Sequence, residues 1–140
     1  MRFKVLLPVG ILVIGLLLLL WLLYPPSISN DLSLSASPEA VARGEYLATA
    51  GGCISCHRGE TDAGELSGGH ALATDFGTFY VPNITVDINT GMGNWQAADF
   101  VAALKYGRTP SGGFYFPAFP YRAYAGLTDQ DALDIGSYLM

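Results

Sequence analysis

Two thiols and an imidazole stand together in Cys53-Ile54-Ser55-Cys56-His57, and Cys53 and Cys56 are the chain's two cysteines. Three residues apart on one helical turn, the thiols face the same way, so each can add to a vinyl group on the same porphyrin edge. The histidine that follows is then placed to reach under the ring and bind iron through one nitrogen. The pattern predicts one covalent haem c held by Cys53 and Cys56, with His57 as the proximal iron ligand and its other ring nitrogen donating to a backbone carbonyl.

Other chemistries fit the motif less well. A zinc site needs four ligands, and His70 is the one further histidine, with no cysteine left. A thioredoxin-like pair wants a βαβ setting that the surrounding sequence lacks. A disulfide across two intervening residues would close a very short loop and stabilise little.

The sixth iron ligand is not written as plainly. A methionine thioether is the ligand that favours reduced iron, and the chain's methionines are Met1, Met92 and Met140. Met92, in the turn Gly91 to Gly93, and His70, in the glycine-rich loop after the motif, are the candidates. Lys105, a tyrosine of the Tyr115 to Tyr124 loop, or an open position complete the range, and the ligand stays unassigned. The choice separates two functions: a six-coordinate iron suits single-electron transfer, whereas an open position suits a haem-based sensor or enzyme of O₂, NO, CO or peroxide.

The elements that must position these groups are helical. Ser37-Pro38-Glu39 reads as an N-cap, a first-turn proline and an acid, predicting a helix over Pro38 to Ala50 that Gly51-Gly52 ends. Asn94 and Gly107 bracket a second helix from Trp95 to Tyr106, with Ala97, Phe100, Val101 and Leu104 on one stripe. Thr128 and Asp131 form a capping-box pattern for a third helix that runs to the chain end. Between them lie loops rich in glycine and proline, and Thr78 to Val81 could pair briefly as a strand. Long loops in a small helical domain need something to pack on, and a large apolar cofactor would serve.

Ahead of this domain, Val5 to Tyr24 is a run of twenty uncharged residues, preceded by Arg2 and Lys4. Its length matches a bilayer's hydrocarbon, with Trp21 and Tyr24 at the far interface and Pro25-Pro26 as a stop. It is longer than the apolar core of a cleavable signal peptide, and no small-residue cleavage site follows. The expectation is therefore an anchor over 1–26, a serine-rich tether over 27–37 and a monohaem domain over 38–140. By the positive-inside rule the N-terminus is cytoplasmic, the helix a single pass of the inner membrane, and the domain periplasmic or otherwise extracytoplasmic. Five basic and twelve acidic residues follow the apolar run, a balance of −7 that disfavours nucleic acid and favours a neutral or basic partner.

Beyond the haem motif the chain carries Arg43-Gly44-Glu45-Tyr46-Leu47, Asp75-Phe76-Gly77-Thr78, Pro82-Asn83-Ile84-Thr85, Thr90-Gly91-Met92-Gly93-Asn94-Trp95 and Tyr115-Phe116-Pro117-Ala118-Phe119-Pro120-Tyr121. Over nearly all of Pro38 to Met140 it resembles the class I cytochrome c domains in cytochrome subunits of membrane-bound, quinone-linked alcohol, gluconate and related sugar dehydrogenases. The resemblance implies an all-α class I cytochrome c fold, three to four helices around the haem, with Gly44, Tyr46 and Tyr138 where the first and last helices cross. It implies a carrier of single electrons with no substrate chemistry of its own, served by a membrane dehydrogenase, quinol-oxidising or oxidase complex. Asn83, Thr85, Trp95 and Arg108 are candidates to meet the haem propionates, and aromatic residues of Phe114 to Tyr124 to shield the ring. Related domains place the ligand methionine at positions matching Phe119 or Leu127, both apolar here and unable to ligate.

Overall fold

The apolar N-terminal run folds as helix α1, Phe3–Leu23. The structure, a computed structural model, describes residues 3–23, 27–59 and 64–140, and within the first of these the side chains of 8–21. Among the described residues no helix is long and apolar enough to cross a membrane. This corrects the expected transmembrane anchor, and the single-pass inner-membrane placement loses its basis with it. Arg2, Tyr24 and the Pro25-Pro26 stop lie outside the described residues.

Local capping fixes the helices that follow. Helix α2, Pro38–Ala50, begins where the Ser37 hydroxyl accepts the Ala40 N–H at 3.2 Å, with Pro38 in the first turn, where a missing N–H costs nothing. Helix α3 is the single turn Cys53–His57. Helix α4 spans Ala97–Tyr106, two residues later than the expected Trp95 start. The reason is that Asn94 is engaged elsewhere: its amide donates to the Ile88 carbonyl at 2.9 Å, and Gln96 takes the cap, its N–H donating to Asp99 at 2.7 Å. A short turn, α5, covers Tyr121–Tyr124. Helix α6, Asp129–Leu139, starts with a reciprocal pair: the Thr128 hydroxyl accepts the Asp131 N–H, and the Asp131 carboxylate accepts the Thr128 N–H.

The chain is not purely helical. Strands β1, Ala71–Thr74, and β2, Gly77–Tyr80, pair antiparallel with Ala71 opposite Tyr80 and Thr74 opposite Gly77. The brief pairing expected over Thr78 to Val81 is thus a hairpin whose partner strand has little sequence signal of its own.

Helices α2 and α6 cross at Gly44. A Cβ there would fall onto the Asp134 carbonyl oxygen and lie 2.9 Å from the Tyr138 Cβ, so only glycine admits this approach. Tyr46, expected at the same crossing, is 71% exposed and takes no part. Arg43 ties the crossing from outside, pairing with Asp131 and with the buried Asp134 at 3.1 Å. One core cluster joins Ala97 and Val101 of α4 to Ala132 and Leu133 of α6, and a second gathers Ile84, Met92 and Phe100. Residues Ile28, Leu32 and Leu34 pack against the first cluster, and the Ser35 N–H donates to the Ser137 hydroxyl at 3.0 Å. The serine-rich segment is therefore docked on the domain along much of its length.

Candidate functional site

Gly52 aims the thiol-bearing turn. With φ at 78°, in the left-handed region that suits glycine, it reverses the chain after α2 and starts α3. The Ser55 hydroxyl donates to the Gly52 carbonyl at 2.7 Å, and the Tyr124 hydroxyl donates to the Gly51 carbonyl at 2.7 Å, so both hinge carbonyls are held. Cys53 and Cys56 are free thiols, the first half-buried and the second exposed. Burial pushes the Cys53 thiol above its ordinary pKa.

His57 Nδ1 lies 2.8 Å from the Pro82 carbonyl oxygen. A carbonyl only accepts, so Nδ1 carries the proton and Nε2 keeps its lone pair for a metal. Burial lowers the imidazole pKa, and the hydrogen bond to Pro82 opposes this in part. The neutral ring that a metal ligand requires is the form the protein favours.

Beside α3 opens a crevice of about 240 Å³. Leu47 and Ala50 of α2, Leu104 of α4 and Ile135 of α6 form carbon walls, with Cys53 at one edge and Tyr124 and Leu127 at another. Tyr124 connects the crevice to an aromatic group: Phe119 lies 5.9 Å from Tyr124, and Tyr115 meets Phe119 edge-on at 5.5 Å. Two free thiols on one turn, an imidazole with a fixed free nitrogen and an apolar slot between helices form a donor set that fits a covalently attached haem. Of the loop expected to shield the ring, Tyr124 lines the crevice, whereas Phe114 and Phe116 are 69% and 53% exposed and the Phe116 ring stacks on Phe79 at 4.5 Å.

The structure separates the remaining candidates. Met92 is buried against Ile84 and Phe100, its N–H donating to the Thr85 carbonyl at 2.7 Å. His70 is exposed and flanks Ser55 and Arg58 in a separate depression. Lys105 is paired with Asp129. Asn83 is occupied within its own turn, its amide donating to the Thr90 hydroxyl and its oxygen accepting the Thr85 N–H. Trp95 leans on Phe100 at 5.2 Å. The residue that sequence reasoning left unnamed is Pro82: the histidine's partner is a backbone carbonyl, and backbone atoms leave no signature in side-chain types.

The family described as cytochrome c matches residues 41–140. The chain is 44% identical over 124 residues to a diheme cytochrome c-type protein of Cereibacter sphaeroides, covering 86% of this chain and 42% of that one. It is 39% identical over 106 residues to the fructose dehydrogenase cytochrome subunit of Gluconobacter japonicus, covering 76% of this chain and 22% of that one. It is 41% identical over 106 residues to the gluconate 2-dehydrogenase cytochrome c subunit of Pantoea cypripedii, covering 75% and 24%. The chain spans less than half the length of these relatives.

Proposed function

The chain belongs to the cytochrome c family, which implies haem c, and on that premise we propose that it is a monohaem electron-transfer unit serving a dehydrogenase. Cys53 and Cys56 hold the haem by thioether bonds, and His57 Nε2 is the iron ligand. One haem follows from one CxxCH in the sequence. The haem supplies a single-electron couple when bound. The protein's residues do the rest: Pro82 keeps the His57 proton on Nδ1, and the carbon walls of the crevice exclude water and so bear on the potential. The thiols and the imidazole are engaged in holding the group.

The dehydrogenase partner is supported by the cytochrome subunits of fructose and gluconate dehydrogenases among the relatives. The observation that carries the reading is the 2.8 Å contact between His57 Nδ1 and the Pro82 carbonyl, on the same turn as two free thiols. The test is the intact mass of the mature protein with a redox titration of its visible spectrum. One haem added covalently and one single-electron wave are expected. A colourless chain, or one that loses its haem to acid-acetone extraction, refutes it.

A further inference from the structure

We propose that Tyr121 and Tyr124 are positioning residues: through them the turn α5 latches the C-terminal end of α2 to that of α4, and so sets how far the crevice beside Cys53 stays closed to water. The proposal rests on the haem reading above. A four-residue turn has too few hydrogen bonds to hold itself, so α5 stands where its side chains are anchored. Tyr121 and Tyr124 are three residues apart, on one face of that turn. Each is anchored at a helix end, and the two anchors differ in kind.

At the end of α4 stands Gly107, with φ at 63°. The Tyr121 ring lies flat against it, so close that a Cβ on Gly107 would come within 2.6 Å of a ring carbon. The Gly107 carbonyl also accepts the Tyr115 N–H at 2.7 Å, which brings the chain on both sides of Phe119 to the same glycine. At the end of α2 stands Gly51, whose carbonyl accepts the Tyr124 hydroxyl at 2.7 Å. Phe119 packs on both tyrosines, 6.3 Å from Tyr121 and 5.9 Å from Tyr124. Tyr121 therefore holds by ring carbons and Tyr124 by its hydroxyl.

Both anchors bear on the crevice. Gly51, Cys53, Leu104, Tyr124 and Leu127 all line it, and the Leu127 N–H donates to the Tyr124 carbonyl at 3.0 Å, so Leu127 is carried by the same turn. Gly51 precedes Gly52, whose left-handed backbone starts the thiol-bearing turn, so the Tyr124 hydroxyl also steadies the hinge from which Cys53 is aimed. The oxidised haem carries one more positive charge than the reduced one. Water admitted along α5 would solvate that charge and lower the potential.

The experiment uses the full holoprotein, with the midpoint potential read by spectroelectrochemical titration and amide hydrogen exchange followed over residues 51–53. Tyr124→Phe keeps the ring and loses the hydroxyl. It should lower the potential and speed exchange by about two- to ten-fold, the worth of one hydrogen bond, with the far-ultraviolet circular dichroism of the wild type. Tyr121→Phe keeps the ring that rests on Gly107 and should change neither reading, whereas Tyr121→Leu removes that ring and should lower the potential. Should Tyr121→Leu fail to fold, the two phenylalanine variants carry the test. A potential in Tyr124→Phe that is unchanged or raised overturns the proposal, whatever the exchange, and so does a Tyr121→Phe shift as large as that of Tyr124→Phe. Intact mass keeps the two failures apart: a wild-type chain without covalent haem sinks the electron-transfer reading, whereas a haem-bearing chain whose potential ignores Tyr124 sinks this inference alone.

Discussion

Gly44→Ala sets two effects of opposite sign against each other. In an open helix the change stabilises by about 0.8–1.0 kcal/mol, because glycine loses the most backbone freedom on folding. At this crossing the new methyl would land on the Asp134 carbonyl oxygen, 2.5 Å from the carbonyl carbon and 2.9 Å from the Tyr138 Cβ. Comfortable carbon contacts are about 3.5–4.0 Å, so α6 must retreat by roughly 1 Å. Overpacking of that kind costs about 1–3 kcal/mol, and the upper end applies because backbone, not a flexible side-chain tip, is displaced. The net expectation is a loss of about 2 kcal/mol, or roughly 6–12 °C in Tm for a domain of this size. Thermal unfolding of the ferric holoprotein, followed by far-ultraviolet circular dichroism, measures it. A variant as stable as the wild type, or more so, would mean that helix propensity governs the site and that α2 and α6 are not in backbone contact.

Arg43→Ala leaves the Asp134 carboxylate, 3% exposed, with Gln130 as its remaining side-chain partner at 2.7 Å. Because Arg43 is itself 52% exposed and screened, the loss should be about 1–2 kcal/mol by denaturant unfolding, and adding Asp134→Asn should recover part of it. Asp131 is held below the usual carboxylate pKa first by the Thr128 hydroxyl, then by the Thr128 N–H and by Arg43. Its contribution is present above the unfolded value of about 3.9 and is lost as pH falls through the lower folded value. Asp131→Asn should therefore flatten the acid limb of the stability–pH curve below about pH 4, and an unchanged limb would contradict this assignment. Tyr124→Phe removes the hydrogen bond to Gly51 and should cost about 0.5–1.5 kcal/mol in denaturant unfolding while leaving the haem-bearing mass unchanged.

The grouping at the candidate site was legible because its motif is local: Cys53, Cys56 and His57 lie on one turn, and that turn is helical. The helix starts at Ser37 and Thr128 were legible for the same reason, since each cap bonds within three residues. Asn94 was misassigned because a carbonyl six residues upstream, that of Ile88, competes for its amide, and a cap rule read forward along the chain does not weigh that. The docking of Ile28, Leu32 and Leu34 was hidden by irregular spacing and by the serines around them. The hairpin was half seen, because Ala71–Thr74 lacks the alternation that its partner strand supplies on pairing. The membrane expectation rested on composition and run length, and among the described residues no helix is long and apolar enough to cross a membrane.

The close approach at Gly44 also bears on how the macrocycle gets in. Leu47 and Ala50 on one helix and Ile135 on the other belong to two elements whose backbones touch and whose outer edge is strapped by Arg43. Neither can swing aside without undoing the other. The remaining lining includes Tyr124 and Leu127, from the short turn α5 and the residues after it. Room for a large flat group is therefore made at less cost on the side of Tyr124 and Leu127 than at the crossing, so substitutions at the crossing should be felt in stability before they are felt in the width of the crevice.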